Sequence, residues 1–244
     1  MTDQIITWLN GLSALILISC AWIMAVITVF FYFRDKNKKH INLFFFLIAV
    51  ALGWTGITIS FLSVAIFGFN LPWVRGIISY FSYSTIPIGA TMLVLIVWDV
   101  VGSPKNKKII VIIFLICSII YYIVLYTTFQ QAIVCPVVPK GEIYDDWISP
   151  NSFIFILIWI LVSFVCVMFF FGFNKFRKMT AGDLKNRAKF IMLSVAIIGI
   201  CILLDTVVLG SIIQPHVNYL FIVRFLMIFG SFAMYWGFRI SKTD

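Results

Sequence analysis

Hydrophobic and polar positions alternate along this chain on a long wavelength. Seven apolar runs, each of helix length, are separated by short polar segments. The runs fall at about residues 8–33, 41–67, 76–101, 109–129, 153–173, 188–212 and 219–240. An α-helix crosses the hydrocarbon core of a bilayer with roughly 20 apolar residues. A spanning β-strand would instead show about ten residues of alternating polarity, and no such alternation recurs here. In lipid a helix satisfies its own backbone hydrogen bonds. The pattern therefore predicts an all-α integral membrane bundle of seven transmembrane helices, a single domain over residues 1–244. The first run is expected to stay as a permanent span: "MTDQ" lacks a basic start, and the run is longer than the roughly 7–15 apolar residues of a secretory signal.

Composition strengthens the membrane reading. The chain is 63% hydrophobic and 11% charged, against about 45–50% and about 25% in soluble domains. The net charge is +9, which in a soluble protein would point to nucleic acid. Here fifteen of the 18 Lys and Arg residues lie in four segments, 34–40, 102–108, 174–189 and 239–244, all on one side of a seven-span bundle. The positive-inside rule then predicts an outside N-terminus, a cytoplasmic C-terminus and no nucleic-acid partner. The expected setting is the cell membrane, as a multi-pass protein. Of the five Cys, four fall inside apolar runs and Cys135 in a loop, so no disulfide is predicted.

Several features bear on packing. In the second run Gly53, Gly56, Ser60 and Ser63 share one helical face, as close helix packing in lipid requires. The third run holds Ser79, Ser82, Tyr83, Ser84, Thr85 and Thr91 and is expected near the bundle centre. Pro87 lacks an amide donor and should kink that helix. Tyr83, Pro87 and Trp54 are candidates for a pocket wall or hinge. Tyr121, Tyr122 and Tyr126 read as part of an interfacial aromatic belt. The outer loop 130–151, with Glu142, Asp145 and Asp146, is long enough to be functional.

Two charges lie deep in apolar sequence. Asp205 is the eighth residue from the end of the sixth run, and Arg224 the sixth residue of the seventh. At roughly 1.5 Å per residue both sit about 9–13 Å below the outer surface. A charge in the membrane costs at least about 2.5–3.5 kcal/mol, so each needs a partner. The short connection makes the two helices adjacent and antiparallel, and mutual pairing is the simplest outcome. That pair is either a structural clasp or the floor of a ligand pocket that Gln214, His216 and Asn218 extend; alternatively, Arg224 snorkels outward alone. Asp99, beside Lys105, Lys107 and Lys108, reads as a solvated interfacial acid.

Chemistry is narrowed mainly by exclusion. An aspartyl-protease dyad needs two carboxylates sharing a proton, whereas Asp99 and Asp205 are predicted about 20 Å apart in depth. Retinal needs a lysine in the middle of the seventh span, and "YLFIVRFLMIFGSFAMYWGF" has none. HExxH, GxSxG and GxxxxGK[ST] are missing from the sequence. His40 and His216 are predicted on opposite sides, so no metal site is expected. The chain reads as non-enzymatic and without a cofactor.

The stretch from "RDKNKKHINLFFFLIAVALGW" through "LPWVRGIISYFSYSTIPIGATMLVLIVWDVVG" resembles the seven-helix N-terminal sensor domain of some membrane histidine kinases. The points of likeness are the basic start of the second span, Trp54 within it, and Tyr83 before Pro87. The resemblance implies an N-outside sensory module, here without a kinase region after the seventh span, so that its signal passes to a separate partner. The expectation is thus a receptor-like or sensor-like membrane protein. Its input side is the Asp205/Arg224 region and the outer loop. Its output, or a contact with anionic lipid, is Lys175, Arg177, Lys178, Lys185 and Arg187. A small transporter or channel component, or a structural subunit of a larger membrane complex, is the alternative.

Overall fold

The computed structural model describes residues 2–71, 76–101, 104–134, 140–144, 146–211 and 220–238. It is a helical bundle. In chain order the elements are α1 (Thr2–Asp35), α2 (Lys38–Gly53), α3 (Thr55–Phe67), α4 (Ile77–Ser84), α5 (Ile86–Val101), α6 (Pro104–Ala132), β1 (Ile133–Val134), β2 (Trp147–Ile148), α7 (Phe153–Met179), α8 (Gly182–Ser211) and α9 (Leu220–Phe238). Among the described residues six helical stretches are long and apolar enough to cross a membrane, and the bent pair α2–α3 makes a seventh. The helices outrun the apolar limits of the sequence, most clearly in α7 and α8, because their ends continue into the basic segments. Asn37 opens α2 by accepting the Lys39 amide, and Ser152 opens α7 by accepting the amide of Phe155, each relieving one of the free N–H groups of a first turn.

The apolar surface divides as a lipid-immersed bundle requires. Ile109, Ile112, Ile116, Ile119 and Ile123 on α6 are all exposed, so this helix lies at the periphery. The core is built from the facing sides of α1, α2, α5, α7, α8 and α9, with Leu47, Ile96, Phe169, Phe173 and Ala188 fully or almost fully buried. Packing α5 between α2 and α7 gives the polar third run the central place expected of it. Close approach relies on small residues. A methyl group on Gly11 of α1 would stand 2.8 Å from Cβ of Phe61 on α3, and one on Gly230 of α9 would stand 3.3 Å from the Ser194 carbonyl of α8.

Two sequence expectations change. The second run is not one helix: α2 and α3 meet at Trp54 with a bend of 48°. No proline stands there, but Gly53 and Gly56 flank the break, and glycine is a recognised site of sharp kinks. Segment 130–151 is not a free loop. Residues 133–134 and 147–148 pair as a short antiparallel ladder. Ile143 is buried against Ala14, Ile57, Phe61 and Val64, and Tyr144 is buried against Ile78. Ser60 of α3 fixes this fold-back: its hydroxyl accepts the Tyr144 amide at 2.6 Å and donates to Asn70 at 2.5 Å. Asn70 donates in turn to the Glu142 carbonyl. Thus Ser60 and Gly56, on the predicted small-residue face, do pack closely, but against a loop and α4 as well as a helix.

Candidate functional site

The two interrupted helices face each other, and the interruptions expose backbone groups that need partners. In α4–α5 the break falls at Thr85, just before Pro87. A proline at 87 cannot donate to the carbonyl four residues earlier. That carbonyl belongs to Tyr83, and the Tyr121 hydroxyl donates to it at 2.9 Å. The neighbouring Ser84 carbonyl receives the Tyr122 hydroxyl at 2.8 Å. Tyr121 is only 1% exposed. The belt assignment of Tyr121 is therefore corrected: both hydroxyls serve the α4–α5 break, and only Tyr126 of the three is exposed. In α2–α3 the Thr55 hydroxyl donates to the Ala51 carbonyl, and the Ser82 hydroxyl of α4 donates across to the Leu52 carbonyl at 3.3 Å. The ladder resumes with the Thr58 amide on the Trp54 carbonyl.

Between the breaks lies a cavity of about 140 Å3, which corresponds to on the order of ten water-sized positions. One end is polar, with Trp54, Ser82, Thr85, Asp146, Asp205 and Arg224 in its wall. The remainder is largely aliphatic, with walls from α2, α5, α7 and α8 that include Val50, Ala90, Leu161, Val165 and Ile198. Trp54 sits at φ −105°, ψ 11° between the two helices, and its indole N–H donates to Asp205 Oδ2 at 2.8 Å. Arg224 Nη2 lies 3.5 Å from Asp205 Oδ1, with side-chain exposures of 2% and 12%. Arg224 Nη1 also donates to the Asn10 carbonyl of α1 at 3.1 Å. One charged pair thus ties α8 to α9, and its hydrogen bonds to Asn10 and Trp54 tie those helices to α1 and to the α2–α3 break.

The structure brings together Asp205, Arg224, Trp54 and Tyr83, all of which line the cavity. Pro87 is buried beside the break but is not part of the lining. His216, with Gln214 and Asn218, lies outside the described residues, as do Cys135 and Asp145. Snorkelling of Arg224 is not what the geometry shows. Asp99 pairs with Lys107 at the basic end of α5, away from the cavity. Lys175, Lys178 and Lys185 are exposed around the α7–α8 turn. There Arg177 donates to Asn174 at 2.8 Å, and Arg187 forms an ion pair with Asp183 at 2.7 Å.

Two participants escaped the sequence reading. Asn10 contributes through its backbone carbonyl, which no side-chain pattern signals. Asp146 was one of three acids in a loop. It enters the cavity wall because the ladder β1–β2 and the Ser60 clasp fold that loop inward. It lies close to Gly56, where an added methyl group would stand 3.9 Å from Asp146 Oδ1, an ordinary contact. No protein-family model matches the chain, and no curated protein is significantly similar to it.

Proposed function

We propose that this protein is a receptor-like, non-enzymatic membrane sensor with seven spans, its N-terminus outside and its C-terminus in the cytoplasm. A small ligand entering the central cavity would shift the population between two packings of the bundle. The observation that carries this reading is the meeting of two interrupted helices with a buried ion pair around one cavity. Kinks form where the hydrogen-bond ladder of a helix is interrupted, so the bent pair α2–α3, with the Thr85 interruption beside it, would supply the bistable element. A ligand moves such an equilibrium only if it binds the two states differently, and contacts to groups on both sides of a break do that. Output would leave through the exposed basic residues of the α7–α8 turn toward a separate signalling partner.

Interrupted helices beside buried charges are also how many transporters build their binding sites, which favours transport as the second reading. The test reconstitutes the protein in lipid nanodiscs and screens small polar and amphiphilic compounds for saturable stabilisation. At a concentration 100 times its Kd, a ligand stabilises the folded state by about 2.7 kcal/mol. The sensor reading expects hits whose effect disappears in Gly53→Phe, which fills the cavity, and which show no flux in proteoliposomes. Flux that is abolished by Asp205→Asn would overturn it in favour of transport.

A further inference from the structure

We infer that the cavity is built for a compact ammonium ligand with an apolar body of about six to eight carbons. This rests on the reading of the cavity as a ligand site and concerns which chemistry it selects.

The polar end of the cavity has spent its neutral donors on the protein itself. The Trp54 indole donates to Asp205 Oδ2, the Ser82 hydroxyl to the Leu52 carbonyl, and the Thr85 hydroxyl to the Ser82 carbonyl at 2.8 Å. Arg224 directs Nη1 to the Asn10 carbonyl and Nη2 toward Asp205. On the carboxylate itself, acceptor capacity remains. Asp205 Oδ1 is buried and accepts no hydrogen bond among the described residues. At 3.5 Å its approach to Arg224 is an ion pair rather than a short charge-assisted hydrogen bond. A hydroxyl that donates once keeps its lone pairs, so Ser82 and Thr85 add further acceptor positions in the same wall. A head group that meets Asp205 Oδ1 must donate.

A protonated amine fits better than a neutral alcohol for two reasons. It brings several N–H donors and a charge to a carboxylate oxygen, and hydrogen bonds of this charged kind are the strong ones. The lining also includes Trp54 and Tyr83, and aromatic rings attract a cation held over a face within about 6 Å of the centre. The aliphatic remainder of the cavity, from Val50 and Ala90 to Leu161 and Ile198, takes the apolar body. An apolar cavity of about 150 Å3 takes up benzene, so a volume of about 140 Å3 suits an apolar body of about that size.

The test compares 2-phenylethylamine, 2-phenylethanol and phenylacetate, which share one body and differ in the head. Binding to the full chain in nanodiscs at neutral pH is followed by thermal stabilisation and by competition with radiolabelled amine. The expected result is saturable amine binding, about tenfold or more tighter than alcohol or carboxylate. In Asp205→Asn, which keeps an oxygen for the Trp54 indole, the preference for amine over alcohol should collapse toward one. In Gly53→Phe all binding should be lost. Equal or tighter binding of phenylacetate or phenylethanol, lost in Gly53→Phe, would overturn the ammonium assignment while leaving the cavity as the ligand site. Amine binding that survives Gly53→Phe, or no saturable binding of any of the three, would overturn it as well.

Discussion

Neutralising the buried pair provides the sharpest energetic prediction. Asp205→Asn keeps an oxygen to accept from the Trp54 indole, and Arg224→Gln keeps an amide N–H for the Asn10 carbonyl. The cycle therefore separates the coupling between the two side chains from their individual hydrogen bonds to Trp54 and Asn10. Two unit charges 3.5 Å apart attract by about 5 kcal/mol at an effective dielectric of about 20. Removing one partner of a buried pair leaves the other charge stranded, and typically costs about 3–5 kcal/mol. Removing both also removes the desolvation cost of both. Each single variant should thus lose about 3–5 kcal/mol, and the double variant clearly less than the sum of the two. The expected coupling energy is about 2–4 kcal/mol. Steric trapping or SDS-driven unfolding in bicelles reads all four corners. Additive losses, with coupling below about 0.5 kcal/mol, would refute the claim that these two charges stabilise each other.

Three further outcomes follow from individual contacts. Trp54→Phe keeps the ring but deletes the donor to Asp205 Oδ2, and should cost about 1–3 kcal/mol in the same unfolding assay; an unchanged stability would deny that the indole supports the acid. Tyr121→Phe should cost a similar amount because it orphans the Tyr83 carbonyl. In a Pro87→Ala background, where residue 87 regains its N–H, the loss should shrink, and an equal loss in both backgrounds would reject the link between the proline and the tyrosine. Ser60→Ala removes the acceptor of the Tyr144 amide, so hydrogen exchange at that amide should accelerate about tenfold or more. Exchange at the wild-type rate would mean that the fold-back of residues 140–144 does not depend on Ser60.

Much of the helical framework was legible because lipid imposes one rule on every span. A run such as 109–129 has few ways to satisfy its backbone except as a helix. The meeting of Asp205 and Arg224 was legible for a related reason: two costly charges at similar depth on consecutive antiparallel helices have little else to pair with. The break at Thr85 was announced by Pro87. The break at Trp54 was not, since Gly53 and Gly56 equally suit a straight, closely packed helix. The bent form also carries the Ser82 hydroxyl of α4 on the Leu52 carbonyl, a tertiary contact beyond any local pattern. Tyr121 was misassigned for the same kind of reason: a tyrosine near a span end suits an interfacial belt, and only the neighbouring helix shows which carbonyl its hydroxyl serves. Asp146 required the folded loop to be known before its side chain could be placed at the cavity.

The central claim, that filling the cavity repositions the interrupted helices, is tested most directly by a distance across the α2–α3 bend. Nitroxide labels replace Phe45 and Ile66, which are both exposed, at 44% and 69%, and lie on opposite sides of the 48° bend. Double electron–electron resonance in nanodiscs then compares the otherwise wild-type protein with Ala90→Phe, which adds a ring to the cavity wall on α5, outside the bend. The account predicts a shifted distance distribution in the filled variant as the bend changes. An unshifted distribution in a folded Ala90→Phe protein would contradict it.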